Sequence, residues 1–348
     1  MFGAYVHVPF CLKRCDYCAF ATWDDRPQLM DRYVDGLRRE IATAGIAPVD
    51  TVFMGGGTPS LLTPVQLAAI LGELDIAPDA EVTIECNPDT LTPEKLVGYR
   101  EAGVSRVSLG VQSMVPHVLA ALGRTHDPDN VALAVDGIRA AGIATFNMDL
   151  IYGSVGESLA DWERTLTDAL ALDPPHVSAY GLTVEAGTPL AADPTRHPDD
   201  DVQADMYVAA DDALRAHGLE GYEISNWARP GHECRHNLLY WSQGDYRGFG
   251  CAAHSHEHGR RFWNVRTPER YLDMVERDEQ PIGGEEHLDD ETRALEGLQL
   301  ALRTRDGVVA TALATDDLDG LVEHRGERVV LTRDGRLLAN EVALRLRP

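Results

Sequence analysis

The sequence predicts an α/β chain: six parallel strands, each followed by a helix, and then a small α/β module. Three observations predict it. Short β-rich runs recur between Ala4 and Leu182. Between them, apolar residues repeat at three- and four-residue spacing. The rhythm then stops in a stretch rich in proline and aspartate. Repeated strand–helix units imply right-handed crossovers, and either an open doubly wound sheet or a barrel results. In both, functional groups gather at the C-terminal ends of the strands.

The predicted strands are Ala4–Val8, Thr51–Met54, Glu81–Cys86, Arg106–Val111, Thr145–Ile151 and His176–Leu182. Met30, Tyr33, Val34, Leu37 and Ile41 share one face of the first helix. Thr63-Pro64 opens the next, with Leu67, Ile70, Leu71 and Leu74 inside it; Thr92-Pro93-Glu94 opens a third, ended by Gly103. Proline after a Ser/Thr cap is a helix-start signal. Val131, Val135 and Ile138 lie in a fourth, ended by Gly142. Pro189, Pro194, Pro198 and Asp199–Asp201 read as an exposed connection, followed by a helix over Val202–His217. Asp289-Asp290 suits a helix start, with Leu295, Leu298 and Leu302 as its buried face. A strand over Arg328–Thr332, a turn at Asp334-Gly335 and a helix over Leu337–Leu346 complete the module.

Composition removes several functions. Lys plus Arg is 31 against 56 for Asp plus Glu, a net charge of −25. Such a surface repels phosphate backbones and anionic lipid, so neither nucleic acid nor a lipid surface is an expected partner. No apolar run is long enough to span a bilayer. The alternating start, Met1 to Cys15, is unlike a secretion signal, and the expected location is cytoplasmic. Six cysteines in 348 residues do not make a disulfide framework.

Three of the cysteines are close neighbours. Cys11, Cys15 and Cys18 form Cys-x3-Cys-x2-Cys in the loop after the first strand. Three thiolates within eight residues can converge on one metal centre, and in an iron–sulfur cubane three ligands leave one iron open. Spacing alone also allows structural zinc completed by a distant ligand, or a dithiol pair at Cys15-x-x-Cys18. Cys86, Cys234 and Cys251 have no partner at ligand spacing.

The flanking residues narrow the choice. Tyr5-x-His7-x-Pro9-Phe10-Cys11-x3-Cys15-x-Tyr17-Cys18 resembles the signature of the radical S-adenosylmethionine (SAM) superfamily. The resemblance falls in the branch of the oxygen-independent coproporphyrinogen III dehydrogenases (HemN) and the HemW haem chaperones, and covers nearly the whole chain. It implies a partial (β/α)6 radical-SAM barrel with a small α/β C-terminal domain. Residues 1–225 would form the barrel core with its extension, 226–280 a linking region and 281–348 the small HemN-like domain. It also implies a [4Fe–4S] cluster on Cys11, Cys15 and Cys18 whose open iron chelates SAM. An electron from a donor protein then cleaves the sulfonium to methionine and a 5′-deoxyadenosyl radical.

The same resemblance assigns the SAM cradle. Gly55-Gly56-Gly57-Thr58-Pro59 follows the second strand; it has no Lys-Ser/Thr and is not a P-loop. In the resembled family this loop binds the SAM amino group. Tyr5 and Tyr17 belong to the implied SAM site, Tyr17 shielding the cluster. Glu85 and Asp149 are implied to meet polar adenosine groups, and Gln112 and Arg124 the ribose and carboxylate side. On residue chemistry alone, Asp149 and Arg124 could equally be a structural ion pair inside the barrel. One departure is visible: Ser154-Val155-Gly156-Glu157-Ser158 stands where the family has a Leu-Pro-Gly-Gln-Thr-like run.

Two readings remain: haem delivery to client haemoproteins, or oxidative decarboxylation of coproporphyrinogen III. Three features favour the chaperone. Phe20 stands where the dehydrogenases carry a fourth cysteine. The dehydrogenases carry a segment before the first strand, whereas this chain begins with the strand. His236-Asn237-Leu238-Leu239-Tyr240-Trp241 matches the HNxxYW motif typical of HemW, so His236, Asn237, Tyr240 and Trp241 are the implied haem contacts. On the residues alone, Tyr240 and Trp241 could simply pack on the barrel. In Cys251–His258, His254 is the histidine expected near the pocket. The basic residues of the last module leave protein docking as its expected role.

Overall fold

The computed structural model describes residues 1–347. Six strands, β1 (Phe2–Val8), β2 (Val49–Gly56), β3 (Ile76–Cys86), β4 (Arg106–Gln112), β5 (Thr145–Tyr152) and β6 (His176–Gly181), pair in parallel in the order 1-2-3-4-5-6. Between them run α1 (Met30–Thr43), α2 (Pro64–Leu71), α3 (Pro93–Glu101), α4 (Pro116–Ala121) and α5 (Asp129–Ala140); α6 (Leu159–Leu170) joins β5 to β6. This is the (β/α)6 arrangement of a partial barrel. The Thr63-x-x-Gln66 capping box and the Thr92 cap start α2 and α3. Leu74 lies beyond α2 but still packs in the core.

The strands alternate with period two. Val6, Val52, Ile84, Val107, Met148 and Val177 face the helices in one hydrophobic core. The residues between them are mostly polar: Thr51, Thr83, Ser108, Asn147, Ser178 and their neighbours turn to the inner face.

After α7 (Asp200–Ala216), the chain forms β7 (Glu220–Gly221), β8 (Asn226–Ala228) and α8 (Arg235–Trp241). Residues 232–239 cross the starts of five strands in turn. The His232 carbonyl accepts from Arg106 Nη1 at 2.9 Å, and His232 Nδ1 lies 2.8 Å from Thr145 Oγ1. Glu81 accepts the backbone N–H groups of Arg235 and His236, both at 3.1 Å. His236 Nδ1 meets Thr51 Oγ1 at 2.9 Å. Leu239 and His236 then press on Gly3, where an added Cβ would stand 2.5 Å from Leu239 Cδ2. The HNxxYW helix thus plugs the N-terminal end of the barrel.

Residues 226–287 also widen the sheet. Strand β8 pairs with β6; β9 (Asp245–Phe249) pairs parallel to β1; β10 (His254–Glu257), β11 (Arg260–Asn264) and β12 (Ile282–His287) follow antiparallel, giving twelve strands. Helix α9 (Pro268–Val275) packs on α1. A second core lies beyond, formed by α10 (Asp290–Leu302), β13 (Val308–Val309), β14 (Val322–Arg325), β15 (Arg328–Leu331), α11 (Arg333–Leu337) and α12 (Ala339–Ala343). Asp334-Gly335 is not a turn but the start of α11, where Thr332 Oγ1 accepts from Gly335 N at 3.0 Å. A Cβ at 335 would lie 1.8 Å from the Leu321 carbonyl oxygen. The expected Leu337–Leu346 helix is accordingly broken at Leu338.

Because Glu81 satisfies two amides at the start of α8, Glu81→Ala should destabilise the protein by about 2–3 kcal/mol, the usual cost of unpaired buried donors, and Glu81→Gln by less. Denaturant unfolding of the three proteins checks both the size and the order.

Candidate functional site

At the C-terminal ends of the six strands lies a cavity of about 570 Å³. Its first wall is the loop after β1. Phe10 is buried against Tyr33, ring centroids 5.3 Å apart, and Cys11 N donates to the Trp23 carbonyl while Trp23 N donates to Pro9. The loop from Pro9 to Trp23 is therefore closed on itself, and Cys11, Cys15 and Cys18 all face the cavity. Burial pushes the Cys11 thiol up to about 11; the neighbouring sulfurs add to the rise and the Thr58 hydroxyl opposes it. A metal centre removes that cost by taking thiolates as ligands. Among the described residues no three His, Cys, Asp or Glu side chains draw together as ligands of a single ion. The three thiols line one wall of the cavity.

The second wall is the glycine loop after β2. Gly57 N donates to Val8 O at 2.9 Å and Thr58 N to Phe10 O at 2.8 Å, binding this loop to the base of the cysteine loop. A side chain at Gly57 would meet Phe10 O at 2.6 Å, so only glycine fits. Gly56 takes φ 109° and donates its N–H to Glu85 Oε2 at 3.0 Å.

Glu85, on β3, is half-buried at the cavity and accepts that one bond. Burial first, and repulsion from Asp149 second, push its carboxyl up to about 8. Asp149 is better supplied, accepting from Ser108 Oγ at 2.7 Å and Asn147 Nδ2 at 2.8 Å. Arg124 does not pair with it, contrary to the ion-pair alternative. Arg124 Nη2 donates to the Gly110 carbonyl at 2.7 Å and Nη1 points at Cys15 Sγ, 3.7 Å away; Nε has no partner. Gln112 ends β4 at φ 64°, beyond a register shift that turns it into the cavity. Such a conformation is costly for a residue with a Cβ and marks functional positions.

Of the residues that the sequence suggested, Tyr17, Gly56, Gly57, Thr58, Glu85, Gln112, Arg124 and Asp149 line the cavity; Tyr5 and Gly55 lie behind it. Tyr5 OH meets His7 Nδ1 at 3.0 Å, and Gly55 leaves room for the Glu85 carboxyl. The departing loop at Ser154 is held from within, as Glu157 Oε2 accepts from Gly153 N and Ser154 N.

The HNxxYW residues are not brought to this cavity. His236 is 1% exposed, and Nε2 lies 2.8 Å from Tyr240 OH, so both ring nitrogens are engaged. Burial pushes its pKa down to about 3 and keeps it neutral. Asn237 donates to Tyr222 and Glu223. Trp241 is half-buried in the same helix. His254 is exposed on β10 and stacks on Trp263, away from the pocket.

A feature that sequence reading missed joins the two ends. Asn147 Oδ1 bonds His176 Nδ1, His176 Nε2 lies 2.9 Å from Tyr222 OH, and Asn237 Nδ2 donates to the same hydroxyl at 3.4 Å. The chain runs from Asp149 to the plug. Its sequence signal was the polar alternation Asn147-x-Asp149 and His176-x-Ser178-x-Tyr180. Tyr180, Thr183 and Glu185 complete the far wall.

Two half-buried carboxyls, a half-buried guanidinium with an unpartnered Nε and three thiols at one barrel mouth suit a cationic, zwitterionic ligand beside a metal cluster. The Radical SAM superfamily model matches residues 5–169. The class is therefore that of the radical SAM proteins, whose members use SAM with a [4Fe–4S] cluster. A solved structure of similar form is coproporphyrinogen III oxidase (HemN) from Escherichia coli, a radical SAM enzyme: TM-score 0.86, 22% identity, covering 99% of this chain and 89% of that one. At that identity the likeness shows the fold. The heme chaperone HemW of Mycobacterium tuberculosis (strain H37Rv) is 44% identical, covering 98% of this chain and 93% of its own. The heme chaperone HemW of Bacillus subtilis (strain 168) is 34% identical, covering 98% of each. The chain belongs to the HemW family.

The Glu85 carboxyl has a stability signature. Its folded value, about 8, stands above the ordinary 4.5. The folded state thus holds the proton more tightly, and the stability it contributes is lost as pH rises from about 4.5 through 8. Glu85→Gln, measured without ligands, should gain melting temperature relative to the unaltered protein at pH 8.5 but not at pH 4.5; a difference independent of pH would contradict this.

Proposed function

We propose that this protein is a haem chaperone: it binds haem and passes it to client haemoproteins, and holds a SAM-ligated [4Fe–4S] cluster. The observation that carries the reading is end-to-end similarity to the HemW chaperones, 44% over 98% of the chain. Phe20 in place of a fourth cysteine agrees with it. Coproporphyrinogen III decarboxylation is supported only by the shared fold. No helix is long and apolar enough to cross a membrane among the described residues; a cytoplasmic site of action is part of the proposal.

In this reading Cys11, Cys15 and Cys18 hold the cluster, which when reduced supplies the electron for SAM cleavage. The glycine loop and Thr58 offer carbonyls and a hydroxyl to the SAM ammonium. Arg124, with its unpartnered Nε, faces the SAM carboxylate. Asp149, oriented by Ser108 and Asn147, accepts from adenosine groups. Glu85 must give up its proton to pair with a cation. SAM affinity should therefore rise between pH 6 and pH 8 and level off above, and Glu85→Gln should weaken binding by roughly 10-fold or more and flatten that profile. Isothermal titration of the anaerobically reconstituted protein checks both. Cys11→Ala, Cys15→Ala and Cys18→Ala should each lose reconstituted iron, read by metal analysis.

Two assays separate the readings. Stoichiometric haem uptake, followed by transfer to an apo-haemoprotein, is expected. Protoporphyrinogen formed at a catalytic rate from coproporphyrinogen III, SAM and a reductant would overturn the chaperone reading.

A further inference from the structure

The chain of bonds between the plug and the mouth has a direction, and the plug sets it. Tyr222 is 0% exposed, and its hydroxyl receives the backbone N–H of Cys234 and the side-chain amide of Asn237, both at 3.4 Å. A backbone N–H only donates, so the Tyr222 oxygen accepts there and its own hydrogen is left for His176 Nε2, 2.9 Å away. Burial, with Arg106 and His232 adding to it, pushes the His176 pKa down and keeps the ring neutral. A neutral imidazole whose Nε2 accepts carries its proton on Nδ1. His176 Nδ1 therefore donates to Asn147 Oδ1. With its oxygen taken, Asn147 presents Nδ2 to Asp149 Oδ1 at 2.8 Å and to the Ser108 and Ser178 hydroxyls at 2.9 and 3.0 Å. Each step donates towards the mouth, and Asp149 is the last acceptor.

The starting end belongs to a segment held by polar bonds. Glu81 grips the amides of Arg235 and His236, Thr51 the His236 ring, and Tyr222 the Cys234 amide. Both ring nitrogens of His236 are engaged, so it must leave Thr51 or Tyr240 before it can ligate anything else. Helix α8 thus has two states: seated, with the relay complete, and released, with the Tyr222 oxygen free. In the released state nothing compels Tyr222 to give its hydrogen to His176. The His176 tautomer and the Asn147 amide can then reverse, since the hydroxyls of Ser108 and Ser178 donate as readily as they accept. A reversed Asn147 sets its oxygen against the Asp149 carboxyl.

We propose that Tyr222 and His176 are positioning residues of the SAM site: they carry the seating of α8 to Asp149, which keeps its Asn147 donor only while α8 is seated, and bound SAM in turn holds α8 in its seat. Resting on the SAM assignment proposed above, the link joins that site to the helix that carries the HNxxYW residues. Linkage makes the effect reciprocal: what SAM gains from a seated α8, a seated α8 gains from SAM.

The test uses full-length, anaerobically reconstituted protein with SAM as the only ligand. Hydrogen exchange of the backbone amides of residues 232–241 is measured by mass spectrometry with and without saturating SAM, beside isothermal titration of SAM. In unaltered protein SAM should slow that exchange about 5-fold or more, the lower end of the usual coupling between sites, and leave β15 in the second core unchanged. Tyr222→Phe, which removes only the hydroxyl, should bind SAM about 5-fold more weakly and lose the SAM-dependent slowing. His176→Phe, tested independently, should do the same. A purely structural loss at Tyr222 would quicken exchange equally with and without SAM, so the ratio of the two rates reports the link. If the unaltered protein binds no SAM, the SAM assignment fails and the link falls with it. If it binds SAM but exchange over 232–241 changes no more than in β15, or if iron-replete variants keep the full slowing, the relay carries nothing and the SAM assignment stands. The comparison on unaltered protein requires no substitution, so a variant that fails to fold does not leave the proposal undecided.

Discussion

Glu85 and Asp149 are neighbouring, half-buried carboxyl groups on the inner face of one sheet, and much of the mouth answers to their partial desolvation. A buried carboxylate without partners costs several kcal/mol. Asp149 meets the cost with a serine and an asparagine on its own and the neighbouring strand. Glu85 has only one amide and stays largely protonated at neutral pH. Arg124, at the same mouth, is turned onto the Gly110 carbonyl and towards Cys15. The pocket is thus short of positive charge beside Glu85 and has spare donors beside the thiols. A ligand that carries an ammonium and a carboxylate on one short stem satisfies both.

The same polar face determines how the other end is closed. A partial barrel of six strands with polar inward residues cannot be filled by an aliphatic core alone. Residues 232–239 fill it with groups that bond to the strand starts: a carbonyl for Arg106, two amides for Glu81, an imidazole for Thr51. This gives the HNxxYW motif a structural meaning. The histidine links β2 to Tyr240, and the asparagine joins the chain of bonds that ends on Asp149. Residues of the plug and of the mouth are parts of one buried network, in which each bond is strengthened by low dielectric and each loss is costly.

The parts of this design that were legible in the sequence are those governed by local rules. The six strands carry their β-branched and aromatic runs, and Thr63-Pro64 and Thr92-Pro93 cap their helices as cap chemistry requires. The cysteine loop and the glycine loop, both marked by their spacing, line one cavity. What was not legible depends on distant pairing. Strand β9 lies beside β1, with Phe249 opposite Val6, and no local signal states that. Residue type alone does not say at which end of a barrel His236 sits, nor that Arg124 prefers a carbonyl to Asp149. The Asp334-Gly335 pair has turn chemistry, but the close Leu321 carbonyl makes it a helix start.

The cysteine loop explains how a chain can dispense with a fourth cysteine at position 20. Its closure relies on backbone bonds, Cys11 to Trp23 and Trp23 to Pro9, and on the buried Phe10 ring. Phe20 contributes only its carbonyl, which accepts from Thr22 N at 2.8 Å. Its side chain is therefore free of structural duty and stands in solvent at the mouth. The loop then carries two chemically distinct sets of side chains at the cavity: the thiols, and exposed apolar and cationic residues on its rim. A polar substitution at Phe20 alters the second without removing any bond that the first depends on.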